Sequence, residues 1–186
     1  MINVAGPIVN IEDIKEEVDD FVKTHPETKL DTRGYSNTSR SDQYTLANSE
    51  PLHHIFDFLR GVVENTINQK LKFNNAWTIY GHEWNYHALH HHVPHGAVNT
   101  DFNEGYSSVL YLSTPENTEQ EDADARGFFY IVDQSPNKKW GHGNVLNHKP
   151  SVGELVIFPT SALHGVHPQA KGLRHMLNID YEVQNV

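Results

Sequence analysis

Histidines are concentrated in one short stretch of the sequence. "HALHHHVPHGAVNTDF", residues 87–102, holds five histidines in nine residues, followed by Asp101. Imidazole nitrogen and carboxylate oxygen are good ligands for divalent metals such as iron(II). The chain contains no cysteine, which excludes thiolate metal sites, disulfides and cysteine nucleophiles together. Any metal bound here must therefore be held by imidazole and carboxylate groups.

Three ligand sets are compatible with the spacing in this stretch. His90 and His92 are two residues apart, and side chains at that spacing share one face of an extended strand. A second set combines one of the histidines of 87–95 with Asp101, and a third combines His95 with Asp101. The spacing favours His90 and His92, with Asp101 as the main rival. The other histidines of the stretch are then expected on the outer face or around the ligands: His87, His91 and His95.

A second group of candidates lies in "GELVIFPTSALHGVHPQAKGLRHMLNIDYEV", residues 153–183. His164 is predicted on a strand, and Arg174 opens the next strand ten residues later. If that strand returns antiparallel, the arginine lies a few residues deeper inside the same barrel than the histidine. An imidazole at the mouth and a guanidinium within suit a ligand that chelates a metal at one end and carries a carboxylate at the other.

Two helices are predicted before these motifs. Helical spacing of apolar residues begins at Ile11, and Pro26 is expected to end this helix. A second helix is predicted over residues 50–71, with Ser49 as its N-cap. Residues 31–49 are polar and aperiodic, and we expect them to form a long loop.

After Asn75 the pattern changes to short segments rich in aromatic and β-branched residues, separated by turn residues. The predicted strands are 76–84, 86–92, 106–113, 127–133, 154–159, 163–168 and 174–183. Two helices followed by seven or eight short strands indicate an antiparallel sandwich or barrel with helices on one face.

Composition limits the architecture and the partners. The 186 residues suit a single domain, 1–186, in which 1–75 form helical support and a loop and 76–186 form the β core. Lys and Arg total 14 against 24 Asp and Glu, and this net charge of −10 disfavours nucleic acid as a partner. No apolar run approaches the length of a membrane span and the first residues lack a signal-peptide pattern, so a cytoplasmic protein with no membrane partner is expected. Homodimerisation stays open.

The motif "GELVIFPTSALHGVHP", followed by "GLR", resembles the C-terminal half of the Fe(II)/2-oxoglutarate-dependent oxygenases, in particular their prolyl-4-hydroxylase-like branch. "YSSVLYLS", "GFFYIVD" and a proline–glycine turn precede it in the family's order, so the resemblance spans residues 76–183. It implies a double-stranded β-helix, a jelly roll or cupin-like barrel, flanked by N-terminal helices. It implies His164 as the distal iron ligand, Arg174 as the partner of the far carboxylate of 2-oxoglutarate, and Tyr111 as a second contact with that cosubstrate.

The sequence departs from the family's pattern at the first two metal ligands. They normally read His-x-Asp, and this sequence contains no His-x-Asp. His90-x-His92 resembles branches of the superfamily that read His-x-His before a similar strand. With the distal histidine the expected metal ligands are therefore His90, His92 and His164.

The resemblance implies an enzyme that uses Fe(II), 2-oxoglutarate and dioxygen to hydroxylate an unactivated C–H bond. The substrate would be a peptidyl proline, an amino acid or a small metabolite. No catalytic residue beyond the metal site is expected, because this chemistry needs no general base or nucleophile from the protein. Two alternatives stay open: a cupin-like metal-dependent dioxygenase or isomerase without 2-oxoglutarate, and a non-catalytic jelly-roll binding module in which the histidines are structural.

Overall fold

The structure is a computed structural model that describes residues 2–31, 41–92, 105–115, 125–133, 144–169 and 171–184. The helices are α1 (Ile11–Thr24) and α2 (His53–Ile67), with short 3₁₀ turns at Pro26–Thr28 and Glu50–Leu52. The strands are β1 (Asn3–Ala5), β2 (Asp42–Thr45), β3 (Leu71–Gly81), β4 (His87–His90), β5 (Gly105–Ser113), β6 (Phe129–Asp133), β7 (Asn144–His148), β8 (Leu155–Pro159), β9 (His164–Val166) and β10 (Arg174–Val183).

The strands form two antiparallel sheets. The larger sheet has the order β1–β8–β5–β10–β3–β2, and the smaller sheet has the order β4–β9–β6–β7. β10 is central in the larger sheet, because it pairs with β3 on one side and with β5 on the other. The mainly β, antiparallel architecture predicted from the sequence is confirmed.

Alternate residues of β10 serve two different hydrophobic cores. Leu177 packs in a cluster with Leu59 of α2 and other helical residues, whereas its neighbour Met176 packs in a second cluster with Phe129 of the smaller sheet. Side chains along a strand point alternately to opposite faces of the sheet. The larger sheet is therefore covered by the helices on one face and by the smaller sheet on the other, as the prediction of helices on one face requires.

The first helix agrees with its prediction and the second begins differently. α1 ends at Thr24, just before Pro26, as expected. Ser49 does not cap α2, because its hydroxyl donates to the carbonyl of Leu46 and a 3₁₀ turn at Glu50–Leu52 precedes the helix. In the part of the chain that the structure describes, no helix combines the length and apolarity needed to cross a bilayer.

The sheets have edge strands that the apolar pattern did not reveal. β2 lies inside the predicted loop 31–49 and pairs with β3, so the prediction of a continuous loop is wrong for residues 42–45. Residues 32–40 of that loop lie outside the described residues. The sequence "DQYT" of β2 has no buried face, since all four residues are half-buried, and β1 has only three residues. Edge strands of this kind are held chiefly by backbone hydrogen bonds, which leave no hydrophobic pattern.

A buried polar cluster joins α1 to the helix-facing side of β10. His175 is fully buried, its Nε2 lies 2.8 Å from the hydroxyl of Thr78, and its ring stacks on Tyr80 with centroids 4.1 Å apart. The Tyr80 hydroxyl donates to Asp19 over 2.7 Å, and Lys15 forms an ion pair with the same carboxylate at 2.6 Å. Burial lowers the pKa of His175 to about 4, although the charge of Asp19 opposes the shift. The imidazole is therefore neutral in the folded protein near pH 7.

We expect the free energy of unfolding of the metal-free protein to fall as the pH drops from about 6.5 to about 4. Because the pKa of His175 is lower in the folded state, the unfolded chain takes up the proton first and acid favours unfolding; above the unfolded pKa this cost vanishes. The contribution of His175 is up to about 3 kcal/mol. Urea unfolding at pH 7.5 and pH 5 measures it.

His175→Gln keeps a side chain that can bond Thr78 but removes the titrating group, so the loss of stability between the two pH values should become smaller. Some loss should persist, because burial also lowers the pKa of His87 and His164. An unchanged difference between the two pH values in this variant would rule out His175 as a source of the acid sensitivity.

Candidate metal centre

Three histidines from one region of the smaller sheet come together in the space between the sheets. His90 of β4 is the direct antiparallel partner of His164 of β9. His92 follows β4, and its backbone N–H donates to the carbonyl of Thr160 over 2.9 Å. One ring nitrogen from each of His90, His92 and His164 lies within 4.8 Å of the others. Within the described residues this is the single group of three or more possible ligands.

Hydrogen bonds select which ring nitrogen of two of these histidines is available. Nδ1 of His90 lies 2.7 Å from the carbonyl oxygen of Ala88, and Nδ1 of His164 lies 2.8 Å from that of Ala162. A carbonyl oxygen only accepts, so each Nδ1 carries the hydrogen and donates it. The lone pair then lies on Nε2, so Nε2 is the ring atom that is available to bind a metal.

His92 makes the corresponding bond with side chains instead of a carbonyl. Its Nδ1 lies 2.9 Å from Oδ1 of Asp180 and 2.8 Å from the hydroxyl of Ser107. Ser107 in turn donates to Oδ1 of Asp180 over 2.6 Å. The carboxylate therefore accepts from both groups. Asp180 was not predicted from the sequence, because nothing in "NIDYEV" indicates a contact with a residue 88 positions earlier.

His87 is buried on the inner face of β4, with its ring centroid 6.0 Å from that of His90, so of its two expected positions it takes the one around the ligands and not the outer face. The strand pairing is irregular between His87 and His90, which oppose Val166 and His164 respectively. Ala88 and Leu89 of β4 thus oppose the single residue Gly165 of β9, as in a β-bulge, and the extra residue cancels the alternation. Burial, followed by the charge of Arg174, lowers the pKa of His87 to about 3, so this imidazole is neutral.

The remaining candidates of the histidine stretch fall into two groups. His91 is exposed at the rim of the cavity. His95 and the rival ligand Asp101 lie outside the described residues.

Burial favours the neutral form of two of the three convergent imidazoles, those of His90 and His164. Burial is the largest cause that lowers the pKa of His164 well below its ordinary value, and the neighbouring His90 and His92 add to the shift. Burial likewise lowers the pKa of His90. Because a ligand nitrogen must be deprotonated to bind a metal, this environment favours metal binding near neutral pH.

A buried cation and a buried hydroxyl lie near the histidines without partners. Arg174 is fully buried, and none of its three guanidinium nitrogens has a hydrogen-bond partner among the described residues. The same holds for the hydroxyl of Tyr111, which is also fully buried. Burial lowers the pKa of Arg174 to about 10 and raises that of Tyr111. An isolated buried guanidinium is costly, so these donors indicate a site for an anion.

Gly81 makes room for this guanidinium. It is the strand partner of Arg174 on β3. A Cβ atom at Gly81 would lie 3.1 Å from Nη2 of Arg174 and 2.8 Å from Oε1 of Gln169. A side chain at this position would therefore push on the arginine and on the glutamine that packs beside it.

A cavity of about 570 Å³ is lined by the three convergent histidines, by His87 and by Tyr111. Its apolar wall includes Ile79, Val109, Phe129 and Met176, and its polar wall includes side-chain amides and a hydroxyl. The polar residues, apart from the histidines and Tyr111, are Asp31, Gln43, Thr45, Asn75, Asn178 and Asp180. Among the described residues that line the cavity there is no Lys or Arg.

Comparison with known families now identifies the class of protein. The family model described as "Putative 2OG-Fe(II) oxygenase" matches residues 75–178, which is more than half of the chain. The chain belongs to the family of Fe(II)/2-oxoglutarate-dependent oxygenases. It is therefore an enzyme whose cofactors are Fe(II) and 2-oxoglutarate, and the predicted family is confirmed. No curated protein matches the sequence.

Solved structures of low sequence identity share the fold. A prolyl-4-hydroxylase from Pseudomonas putida is 13% identical with a TM-score of 0.63, over 99% of this chain and 93% of that chain. A prolyl hydroxylase from Trichoplax adhaerens, in complex with a hypoxia inducible factor peptide fragment, is 14% identical with a TM-score of 0.62, over 97% and 83%. HygX from Streptomyces hygroscopicus, with nickel, 2-oxoglutarate and hygromycin B bound, is 14% identical with a TM-score of 0.65, over 97% and 81%. The likeness confirms the double-stranded β-helix predicted from the sequence.

We expect one divalent ion to bind per chain through the three imidazoles. Titration of the metal-free protein with Co(II), followed by calorimetry and by visible absorption, measures this binding. His164→Ala removes one of three donors and should weaken Co(II) binding by more than about 100-fold, beyond the effect typical of residues that only contact a ligand.

His54→Ala is the matched control, because His54 is exposed on α2 and bonds only to Glu17 and Pro51 among the described residues. It should bind Co(II) like the wild type. Asp101→Ala distinguishes the rival ligand set. If Asp101→Ala abolishes binding while His92→Ala retains it, the set of three histidines is wrong.

Proposed function

We propose that His90, His92 and His164 bind Fe(II) through their Nε2 atoms, and that Arg174 and Tyr111 bind the far carboxylate of 2-oxoglutarate. The observation that carries this proposal is the buried, unpartnered guanidinium of Arg174 beside the cavity that holds the three imidazoles. The enzyme is then a hydroxylase, and its substrate enters the remaining space of the cavity.

The residues fit both cofactors chemically. Imidazole nitrogen suits iron(II), and three protein ligands leave coordination positions for a chelating cosubstrate and for dioxygen. A guanidinium binds a carboxylate through two parallel hydrogen bonds, and a phenol hydroxyl donates a third. Both donors are buried and unpartnered among the described residues, so an incoming carboxylate would satisfy them without displacing an existing partner.

When bound, iron and 2-oxoglutarate activate dioxygen, and decarboxylation of the cosubstrate to succinate accompanies hydroxylation of a C–H bond. The chain's own residues orient and shield this chemistry. Arg174 and Tyr111 hold one end of the cosubstrate. Val109, Phe129 and Met176 form an apolar wall that excludes water from the cavity. No side chain is required to exchange a proton with the substrate, which is why no catalytic base is expected.

The lining of the cavity favours a polar substrate without a negative charge. Gln43, Thr45, Asn75 and Asn178 present amide and hydroxyl groups, and the lining residues described carry no Lys or Arg to bind an anion. Amides and hydroxyls both donate and accept hydrogen bonds, as a peptide or a polyhydroxy metabolite requires. A peptidyl proline, an amino acid or a small neutral metabolite all meet this condition, and nucleic acid does not.

Family membership favours the oxygenase over the two alternatives. A cupin-like enzyme whose substrate binds the metal directly has no use for a buried guanidinium beside its site. A binding module with structural histidines would not need three ring nitrogens within 4.8 Å of one another. The cytoplasmic location stays a prediction from the sequence, and homodimerisation stays open.

We expect Arg174→Met to weaken binding of 2-oxoglutarate by about 100-fold or more, because a buried, charge-assisted pair of hydrogen bonds is lost. The Co(II) content should be unchanged. Without 2-oxoglutarate, the free energy of unfolding of the variant should equal or exceed that of the wild type, because methionine replaces an unpaired buried charge with an apolar chain of similar length. Calorimetric titration of the Co(II) protein with 2-oxoglutarate, and urea unfolding, test both results.

Arg60→Met is the matched control, because Arg60 forms an ion pair with Asp57 on the outer side of α2. It should bind 2-oxoglutarate normally. Wild-type iron protein should also release succinate slowly from 2-oxoglutarate without a substrate, and Arg174→Met should release much less. Equal 2-oxoglutarate affinity in Arg174→Met and the wild type would contradict the proposed role of the arginine.

A further inference from the structure

We propose that Asp180 supplies, one hydrogen bond away from the metal, the negative charge that a coordinated carboxylate would otherwise provide. This inference rests on the proposed function, since it takes His90, His92 and His164 as the ligands. It assigns Asp180 a positioning role: the carboxylate acts through the imidazole of His92 and does not touch the metal.

The geometry ties Asp180 to one ligand. Its Oδ1 accepts from Nδ1 of His92 over 2.9 Å, and both side chains are only 11% exposed. The other two ligand histidines donate to neutral backbone carbonyls. Within the described part of the chain, His92 is the single ion-pair partner of Asp180. The hydrogen bond of this carboxylate is thus made to one ligand imidazole, although its charge also acts on the nearby His90.

The backbone holds this contact in place. Asp180 of β10 and Ser107 of β5 are direct strand partners, and both side chains lie on the cavity side of the larger sheet. The Ser107 hydroxyl donates to Oδ1 of Asp180 over 2.6 Å, which fixes the carboxylate oxygen that faces His92. Two paired central strands are more rigid than a loop, so the position of the ring of His92 is set by the sheet.

Charge balance explains why such a contact is needed. Non-haem iron oxygenases of this type bind the metal with two histidines and one carboxylate, so the carboxylate reduces the charge of the divalent ion by one. Three neutral imidazoles leave the full charge of +2. Adding Asp180 restores the same total within a buried region, where charges are poorly screened.

The hydrogen bond also changes the ligand itself. Donation of Nδ1–H to a carboxylate fixes the tautomer and raises the basicity of the opposite nitrogen. Nε2 of His92 is then a stronger donor than Nε2 of His90 or His164. The three ligands of the proposed metal site therefore differ in donor strength, and His92 is the strongest of them.

Asp180→Asn tests this role, because the amide oxygen still accepts from Nδ1–H while the charge is removed. We expect the Asp180→Asn protein to bind Co(II) about 10- to 100-fold more weakly than the wild type, as is typical for partners of metal ligands. The visible absorption of bound Co(II) should shift, because one ligand has become a weaker donor. Circular dichroism of the metal-free variant verifies folding.

Asn178→Ala is the matched control. Asn178 lies two residues earlier on the same face of β10 and lines the same cavity, but it has no hydrogen bond to an imidazole among the described residues. Its Co(II) affinity and the Co(II) spectrum should equal those of the wild type.

A measurement on the wild type covers the case in which Asp180→Asn fails to fold. In Zn(II)-loaded protein, proton NMR should show a ring Nδ1–H of His92 further downfield than those of His90 and His164, because its acceptor is charged. A His92 resonance no further downfield than the other two would overturn the proposal.

The results separate this proposal from the proposed function. If wild-type protein binds no Co(II), the ligand assignment itself fails. If the wild type binds and Asp180→Asn binds equally well with an unchanged spectrum, the role of Asp180 is overturned while the metal site stands. If Asp180→Asn abolishes binding as completely as His164→Ala, Asp180 acts as a direct ligand and the positioning role is again overturned.

Discussion

The alternation of side chains along β10 is the constraint on which the site depends. From Arg174 to Asp180 every second residue points into the space between the sheets, and the residues between them pack toward the helices. This one face carries a cation at its start, an apolar and an amide side chain in the middle, and a carboxylate at its end. Six residues of strand span roughly 20 Å, enough to keep the two opposite charges apart. β10 therefore keeps the charges of Arg174 and Asp180 apart before any ligand binds.

The two charges are stable in this buried space for different reasons. Asp180 already has two hydrogen-bond donors, so its carboxylate is satisfied without a ligand. The guanidinium of Arg174 has no hydrogen-bond acceptor among the described residues, so its burial is unfavourable until an anion binds. A site that keeps one charge unpaired is prepared to bind its opposite, since no partner must first be displaced. Under the proposed function, this difference would give the site a direction, with 2-oxoglutarate bound at the Arg174 end and the metal at the His92 end.

The other face of β10 supports the site from behind. His175, next to Arg174, is neutral, buried and bonded to Thr78, and Asp19 and Lys15 connect it to α1. α1 thus contacts β10 through polar groups at His175, the residue next to the unpaired charge of Arg174. The N-terminal segment also contributes β1 and β2 to the larger sheet. Helices and edge strands therefore hold β10 in register, although they add few groups to the metal centre.

The sequence by itself determined the features that depend on local spacing. Periodicity predicted α1, seven of the ten strands that the structure describes, and the antiparallel architecture. The pattern of His90, His92, His164 and Arg174 singled out residues that the structure places in one region. Tertiary structure decided what depends on distant pairing. The bulge in β4 turned His87 inward, and the pairing of β10 with β5 placed Asp180 against His92, 88 residues away. Alternation along one strand is readable because it is local, whereas register between strands depends on the packing of the whole sheet.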